Sequence, residues 1–226
     1  MAIGSAKVMG ISLMKNFNRP FFATSMSDIW KRWHISLSSW LRDYLYISLG
    51  GNRQGELKTY RNLLITMLLG GLWHGASWTF VLWGLLHGLY LVGQRMLSPP
   101  WQRLNRLVRM PAAITHVVAV MAVFALTCVA WVFFRAQSLS DAVVILDRIA
   151  TEGSWGFASL DGKFLIVRGA AVVGVLLVVD MLIERKAFAD LLVRVHAARL
   201  GAIALAVWAI AWIGSFSGSQ FIYFQF

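Results

Sequence analysis

The sequence predicts an all-α membrane protein of several spans, and three observations carry that reading. Of 226 residues 58% are hydrophobic and only 14% charged, where a soluble domain carries nearer a quarter charged residues. Mean hydropathy is +0.65. Several apolar runs approach or exceed the roughly 20 residues that cross a hydrocarbon core. The clearest, Ala112 to Phe134, AAITHVVAVMAVFALTCVAWVFF, has no formal charge.

Taken in order, MAIGSAKVMGISLMK reads as a short helix or the tail of a longer one. Lys7 splits its apolar core, so it does not read as a signal peptide. NFNRPFF, Asn16 to Phe22, is a connector, because Pro20 biases Arg19 away from helix. SMSDIWKRWHISLSSWLRDYLYISLGG then reads as one amphipathic helix with Ser25 or Ser27 as N-cap. Trp30, Trp33, Leu37, Trp40, Leu41 and Tyr44 recur at helical spacing, with Lys31, Ser38 and Arg42 on another face. An aromatic-rich basic helix of this kind belongs in the membrane interface. GGNRQGELKTYRN reads as a polar turn back to the membrane.

Leu63 to Leu97 is long enough for a broken or re-entrant pair. Within it GLWHG (Gly71–Gly75) and GLLHG (Gly84–Gly88) are small-xxx-small patterns that permit close helix approach. Arg95 to Met110 reads as a loop with four arginines and no acid. After the Ala112–Phe134 span, SLSDAVVILDRIA (Ser138–Ala150) reads as an amphipathic helix and TEGSWGFASLDG as a loop. Two further spans follow, Phe164 to Ile183, carrying Arg168 and Asp180, and Leu200 to Phe216. The whole chain, 1–226, reads as a single membrane domain.

The net charge of +11 invites a nucleic-acid reading, but the basic residues cluster in loops between apolar runs. The loop 95–110 is basic, the loop 135–163 has three basic and four acidic residues, and 184–199 has four basic and two acidic. This is the positive-inside pattern; it places the first and third loops in the cytoplasm and the C-terminal FIYFQF outside. Cys128 stands alone, which excludes an internal disulfide.

Five histidines are available. His116 near a span end and His196 in a basic loop read as structural or solvated. His87, mid-helix, reads first as a hydrogen-bonding partner between helices. His34, on the flank of the interfacial helix, reads as a rim residue; Asp43, nine residues on, lies nearly opposite it, so a direct dyad is not expected. His74 differs. Ionisable groups at membrane depth are costly and face a protein interior or a water-filled path. Gly70, Gly71, Gly75 and Ala76 leave room around it, and Trp73 supplies an apolar wall with one donor. On spacing alone a functional role and a packed, satisfied histidine stand equally open.

Other chemistries fare worse. His74 and His87 are thirteen apart, a spacing seen for stacked haems, but no second helix offers a matching pair. A zinc site needs a denser cluster of ligands. A serine hydrolase needs a G-x-S-x-G elbow, and none is present. A transporter of inverted repeats is not supported, since the thirteen-residue echo is far too short.

NFNRPFFATSMSDIWKRWHISLSSWLRDYLYISLGGNR and LLGGLWHGASWTFVLWGLLHGLYL, with FFRAQSLSDAV and the ending FIYFQF, resemble the membrane-bound O-acyltransferases of the alginate O-acetyltransferase type. The D-alanine transfer proteins of teichoic acid modification are more distant. The resemblance covers essentially the whole chain. It implies a partial ring of tilted helices with interfacial helices around a tunnel. A thioester donor, acetyl-CoA as the family expectation, would arrive from the cytoplasm and an extracytoplasmic polysaccharide hydroxyl from outside. It implies His74 of the WHG motif as the catalytic histidine and His34 of RWHIS as the second functional one. Trp73, Arg42 and Asp43 become tunnel or substrate support, with no tightly bound cofactor and no metal. It further implies a bacterial inner-membrane location, contact with lipid and an extracytoplasmic acetyl-transfer partner protein. Family members are longer, and the missing part is N-terminal, so an inactive half-enzyme or assembly subunit is the alternative reading.

Overall fold

The computed structural model describes residues 2–108 and 110–152, with scattered positions between Val167 and Trp208. The chain forms two compact units, Met1–Trp155 and Gly156–Phe226. All the elements below belong to the first. The expected spans 164–183 and 200–216, the loops 151–162 (apart from Thr151, which ends a helix, and Glu152) and 184–199, and the C-terminal tail lie wholly or largely outside the described residues.

Among the described residues the secondary structure is entirely helical. The helices are α1 (Ala2–Val8), α2 (Met26–Arg32), α3 (Ile35–Trp40), α4 (Glu56–His74), α5 (Trp78–Val108), α6 (Ala112–Arg135) and α7 (Leu139–Thr151). A 3₁₀ turn, Pro20–Phe22, precedes α2, and a π-helical segment, Leu41–Tyr46, continues α3.

Two caps are formed locally. Ser25 Oγ accepts from Asp28 N–H at 3.1 Å, and Asp28 Oδ2 accepts from Thr24 N–H at 3.3 Å. Ser138 Oγ likewise accepts from Asp141 N–H at 3.1 Å, starting α7. Each satisfies an N–H that the helix itself leaves unpaired.

The predicted interfacial helix is broken where the sequence pattern runs on. It ends at Arg32 and restarts at Ile35, with His34 in a left-handed conformation (φ 47, ψ 54). The reason is non-local. His34 makes no side-chain cap, and Asn16 supplies it instead: its Oδ1 accepts from Ser36 N–H and Ser36 Oγ–H, both at 2.9 Å. Asn16 C=O also accepts from Ile35 N–H at 2.9 Å, and Arg32 C=O accepts from Asn18 N–H at 2.7 Å. The connector is thus the N-terminal cap of α3. Within it Arg19 leaves the right-handed helical region as expected, but to the left-handed one (φ 52).

Two expected loops are helical instead. The polar turn closes at Gln54, and Glu56–Asn62 already form the first turns of α4. Gly50 and Gly51 take positive φ (103 and 57) in that turn, a conformation that glycine adopts without strain. Fully buried Asn62 holds it, its Nδ2 donating to Leu49 C=O (3.0 Å) and Gly51 C=O (2.9 Å). Residues 95–108 of the expected arginine-rich loop are the second half of α5, which runs through Pro99 and Pro100. Those prolines deprive the Arg95 and Met96 carbonyls of helical donors. Both residues are exposed, so the loss does not strand a buried acceptor.

Leu63–Leu97 is the expected broken pair: α4 and α5 form an antiparallel hairpin turning at Gly75–Ser77. The two glycine patterns face each other there. A Cβ on Gly71 would collide with the Phe80 carbonyl, and one on Gly84 with the Met67 carbonyl. Ser27 and Gln94 clasp α2 onto α5, Ser27 N–H donating to Gln94 Oε1 (3.0 Å) and Gln94 Nε2 to Ser27 Oγ (3.2 Å). Met26, Ile29, Trp30, Met67, Trp83 and Val123 belong to the shared core.

Helix α6 is, among the described residues, the one long and apolar enough to cross a membrane. Its 24 residues span about 36 Å at 1.5 Å each, more than the ~30 Å hydrocarbon core. Only 17% of its most apolar window is buried, so most of its apolar surface faces outward, as a lipid-facing helix does.

Candidate active site

Helix α4 delivers His74 as its last residue, where Gly75 caps it with N–H donating to Leu72 C=O at 3.2 Å. Aromatic rings surround the imidazole: Trp73 at 4.9 Å between centroids, Trp83 and Phe134 at 5.0 Å, and Phe80 at 6.2 Å. Trp83 and Phe80 come from α5 and Phe134 from α6. Its Nδ1 is buried and has no hydrogen-bond partner.

His34 approaches from the α2–α3 break. Its ring lies 6.2 Å from Trp73 and 6.1 Å from Phe17. Trp73 therefore touches both histidines, and the left-handed turn is what aims His34 toward the end of α4. Its Nδ1 is also buried and unpartnered. Burial pushes the His34 imidazole below its ordinary value, opposed by a backbone hydrogen bond, so the neutral form prevails at neutral pH. A groove of about 320 Å³ opens beside it, lined by His34, Ser36, Leu37, Trp40 and Trp73.

Arg42 and Asp43 stand apart from this pair. Asp43 does not reach another helix; Arg42 Nε donates to its Oδ1 at 2.6 Å and Nη2 to its Oδ2 at 3.1 Å. The guanidinium holds the Asp43 carboxyl below the usual range. Arg42 also borders the larger cavity, about 390 Å³, with Lys31, Ser38, Ser39 and Tyr46. That cavity borders neither histidine, whereas the smaller groove borders His34 and Trp73 but not His74.

No local sequence pattern singles out Asn16, Trp83 or Phe134. Their roles depend on contacts distant in the chain, and only the helix spacing of Trp83 from His87 hinted at a shared face. The space expected around His74 is also used differently. Gly71 admits the α5 backbone, and a Cβ on Gly70 would press on Leu41 Cδ1 at 3.1 Å. These glycines serve packing, and the open side of the site is the groove beside His34 and Trp73.

Two imidazoles meeting one indole at the end of a glycine-packed helical hairpin, beside a helix long and apolar enough to span a bilayer, belong to a helical membrane protein. Residues 1–135 match the model of the MBOAT, membrane-bound O-acyltransferase family, and the chain belongs to that family. It is 48% identical over 161 residues to "Probable alginate O-acetylase AlgI" of Azotobacter vinelandii, covering 71% of this chain and 30% of that protein. It is 47% identical over 146 residues to the peptidoglycan O-acetyltransferase of Helicobacter pylori, covering 65% and 27%. Identity to the teichoic acid D-alanyltransferase of Streptococcus thermophilus is 33% over 110 residues, covering 45% and 25%. The chain thus spans about 30% of the length of the alginate O-acetylases it matches.

Proposed function

We propose that the protein containing this chain is an O-acyltransferase that moves an acetyl group from a cytoplasmic thioester, acetyl-CoA by preference, to hydroxyls of an extracytoplasmic polysaccharide such as alginate. The observation that carries the reading is the convergence of His74 and His34 on Trp73 in a chain of this family. An alcohol attacking a thioester carbonyl must lose its proton as the C–O bond forms. His74, as neutral imidazole, accepts that proton, and the thiolate leaves as the tetrahedral intermediate collapses. His34, bordering the open groove, orients the acceptor or donates a hydrogen bond to the carbonyl oxygen as charge develops. Trp73 holds the two rings in register, while Arg42, paired with Asp43, supports the cavity on the other face of α3. The reaction needs no tightly bound cofactor or metal.

The setting proposed is a single multi-pass domain in the bacterial inner membrane with the C-terminus outside, the basic loops cytoplasmic and an extracytoplasmic acetyl-transfer protein as partner. The test is His74→Ala in the complete protein, assayed for labelled acetyl transfer in membranes. Loss of transfer with normal insertion supports the assignment; substantial residual activity refutes it.

A further inference from the structure

The mechanism leaves one buried histidine unused. His87, in the middle of α5, is 3% exposed, and neither of its ring nitrogens has a hydrogen-bond partner. Its ring packs against Trp30 at 5.1 Å and Trp83 at 4.7 Å, and those two indoles meet at 5.9 Å. Both indole Nε1 atoms are buried and equally unpartnered. These three side chains and Thr127 line a small cavity of about 10 Å³ between α2, α5 and α6.

Each such buried, unsatisfied polar group costs about 1–3 kcal/mol, so unpartnered nitrogens on three side chains that line one void call for a ligand. The void admits about one water and nothing larger. The donor inventory matches. Two indole N–H groups only donate, whereas a neutral imidazole offers one donor and one acceptor. A water accepting from Trp30 and Trp83 and donating to the bare nitrogen of His87 makes three hydrogen bonds, about the usual number for a buried water. Thr127 Oγ1, on the same wall, is already committed as a donor to Val123 C=O at 2.8 Å, and it makes no hydrogen bond to His87.

We propose that this cavity binds a single ordered water molecule and that the hydrated Trp30–Trp83–His87 cluster is a positioning element for His74. Trp83 joins the two, its ring 5.0 Å from His74 and 4.7 Å from His87. Tying its N–H to the water fixes the indole plane, and with it the wall that orients the catalytic imidazole. This second step rests on the reading of His74 as the proton acceptor.

The site itself is tested by an experimental structure of the complete protein in lipid nanodiscs, at a resolution that shows ordered water. Density within hydrogen-bond distance of Trp30 Nε1, Trp83 Nε1 and a His87 nitrogen is expected. A dry cavity, or direct hydrogen bonds among the three side chains, overturns the proposal. The positioning role is tested by His87→Leu and His87→Gln, since glutamine keeps a donor and an acceptor. His87→Leu is expected to lower kcat by up to about 100-fold, as misplaced catalytic groups do, with KM for the acceptor unchanged and with His87→Gln restoring most of the rate. Equal loss in both variants, or a change in KM alone, contradicts it. Should His87→Leu fail to insert, Trp83→Phe keeps the aromatic wall without the N–H and must also lower kcat; a wild-type kcat there overturns the role. The base assignment fails separately, through activity of His74→Ala, and that outcome leaves the water density untouched.

Discussion

Replacing Gly84 by alanine tests whether the hairpin packing sets the site geometry. The added methyl would collide with the Met67 carbonyl and lie 3.2 Å from Gly71 Cα. Both obstacles are α4 backbone, which cannot turn aside as a side chain can. Relief requires α4 and α5 to part. Overpacking of this kind costs about 1–3 kcal/mol. The separation also draws Trp83, one residue before Gly84, away from His74. The complete protein, purified in detergent, would be assayed for thermal stability and for acetyl transfer, with Gly93→Ala as control. Nothing lies within 4 Å of a Cβ at Gly93, so that helical glycine gains roughly 0.5–1 kcal/mol on becoming alanine. Gly84→Ala should lower the Tm and the transfer rate together, while Gly93→Ala leaves the rate intact and the Tm equal or higher. A Gly84→Ala protein with wild-type Tm and rate would refute the close-packing account.

Asn16→Ala removes the acceptor for Ser36 N–H and Oγ–H, which at typical cap strength costs about 1 kcal/mol. Amide exchange should quicken at the start of α3 and transfer should fall, and unchanged exchange there would contradict the remote cap. The lowered His34 value makes a signed pH prediction. Its neutral form contributes stability above the ordinary value of 6.5, and that contribution is lost as the pH falls below 6.5 toward the folded-state value. The wild-type Tm should therefore drop more steeply on acidification than that of His34→Gln; parallel curves would show that His34 is not held neutral by burial.

Much of this architecture is legible in residue patterns that act locally. Ser25 and Ser138 cap the helices they precede, GLWHG and GLLHG bring two helices into backbone contact, and the uncharged Ala112–Phe134 run forms one long helix. What escaped the sequence depends on partners far along the chain. The aromatic period runs unbroken through Trp33 and His34, yet the helix breaks there because Asn16, eighteen residues upstream of His34, caps the second half. Prolines normally signal a helix end, but α5 passes Pro99 and Pro100 where the orphaned carbonyls are exposed. Around His74 the glycines suggested room for a substrate, whereas Gly71 is occupied by the approaching α5 backbone. The ring of Trp73, Trp83 and Phe134 joins three helices, and no spacing within one of them announces it.

The role proposed for His74, taking the proton of the attacking hydroxyl, can be read from single-turnover transfer of labelled acetyl to polysaccharide in membranes carrying the complete protein with His74→Ala. Insertion and thermal stability should persist while labelled product disappears. Product formed at a rate near that of the wild type would contradict it.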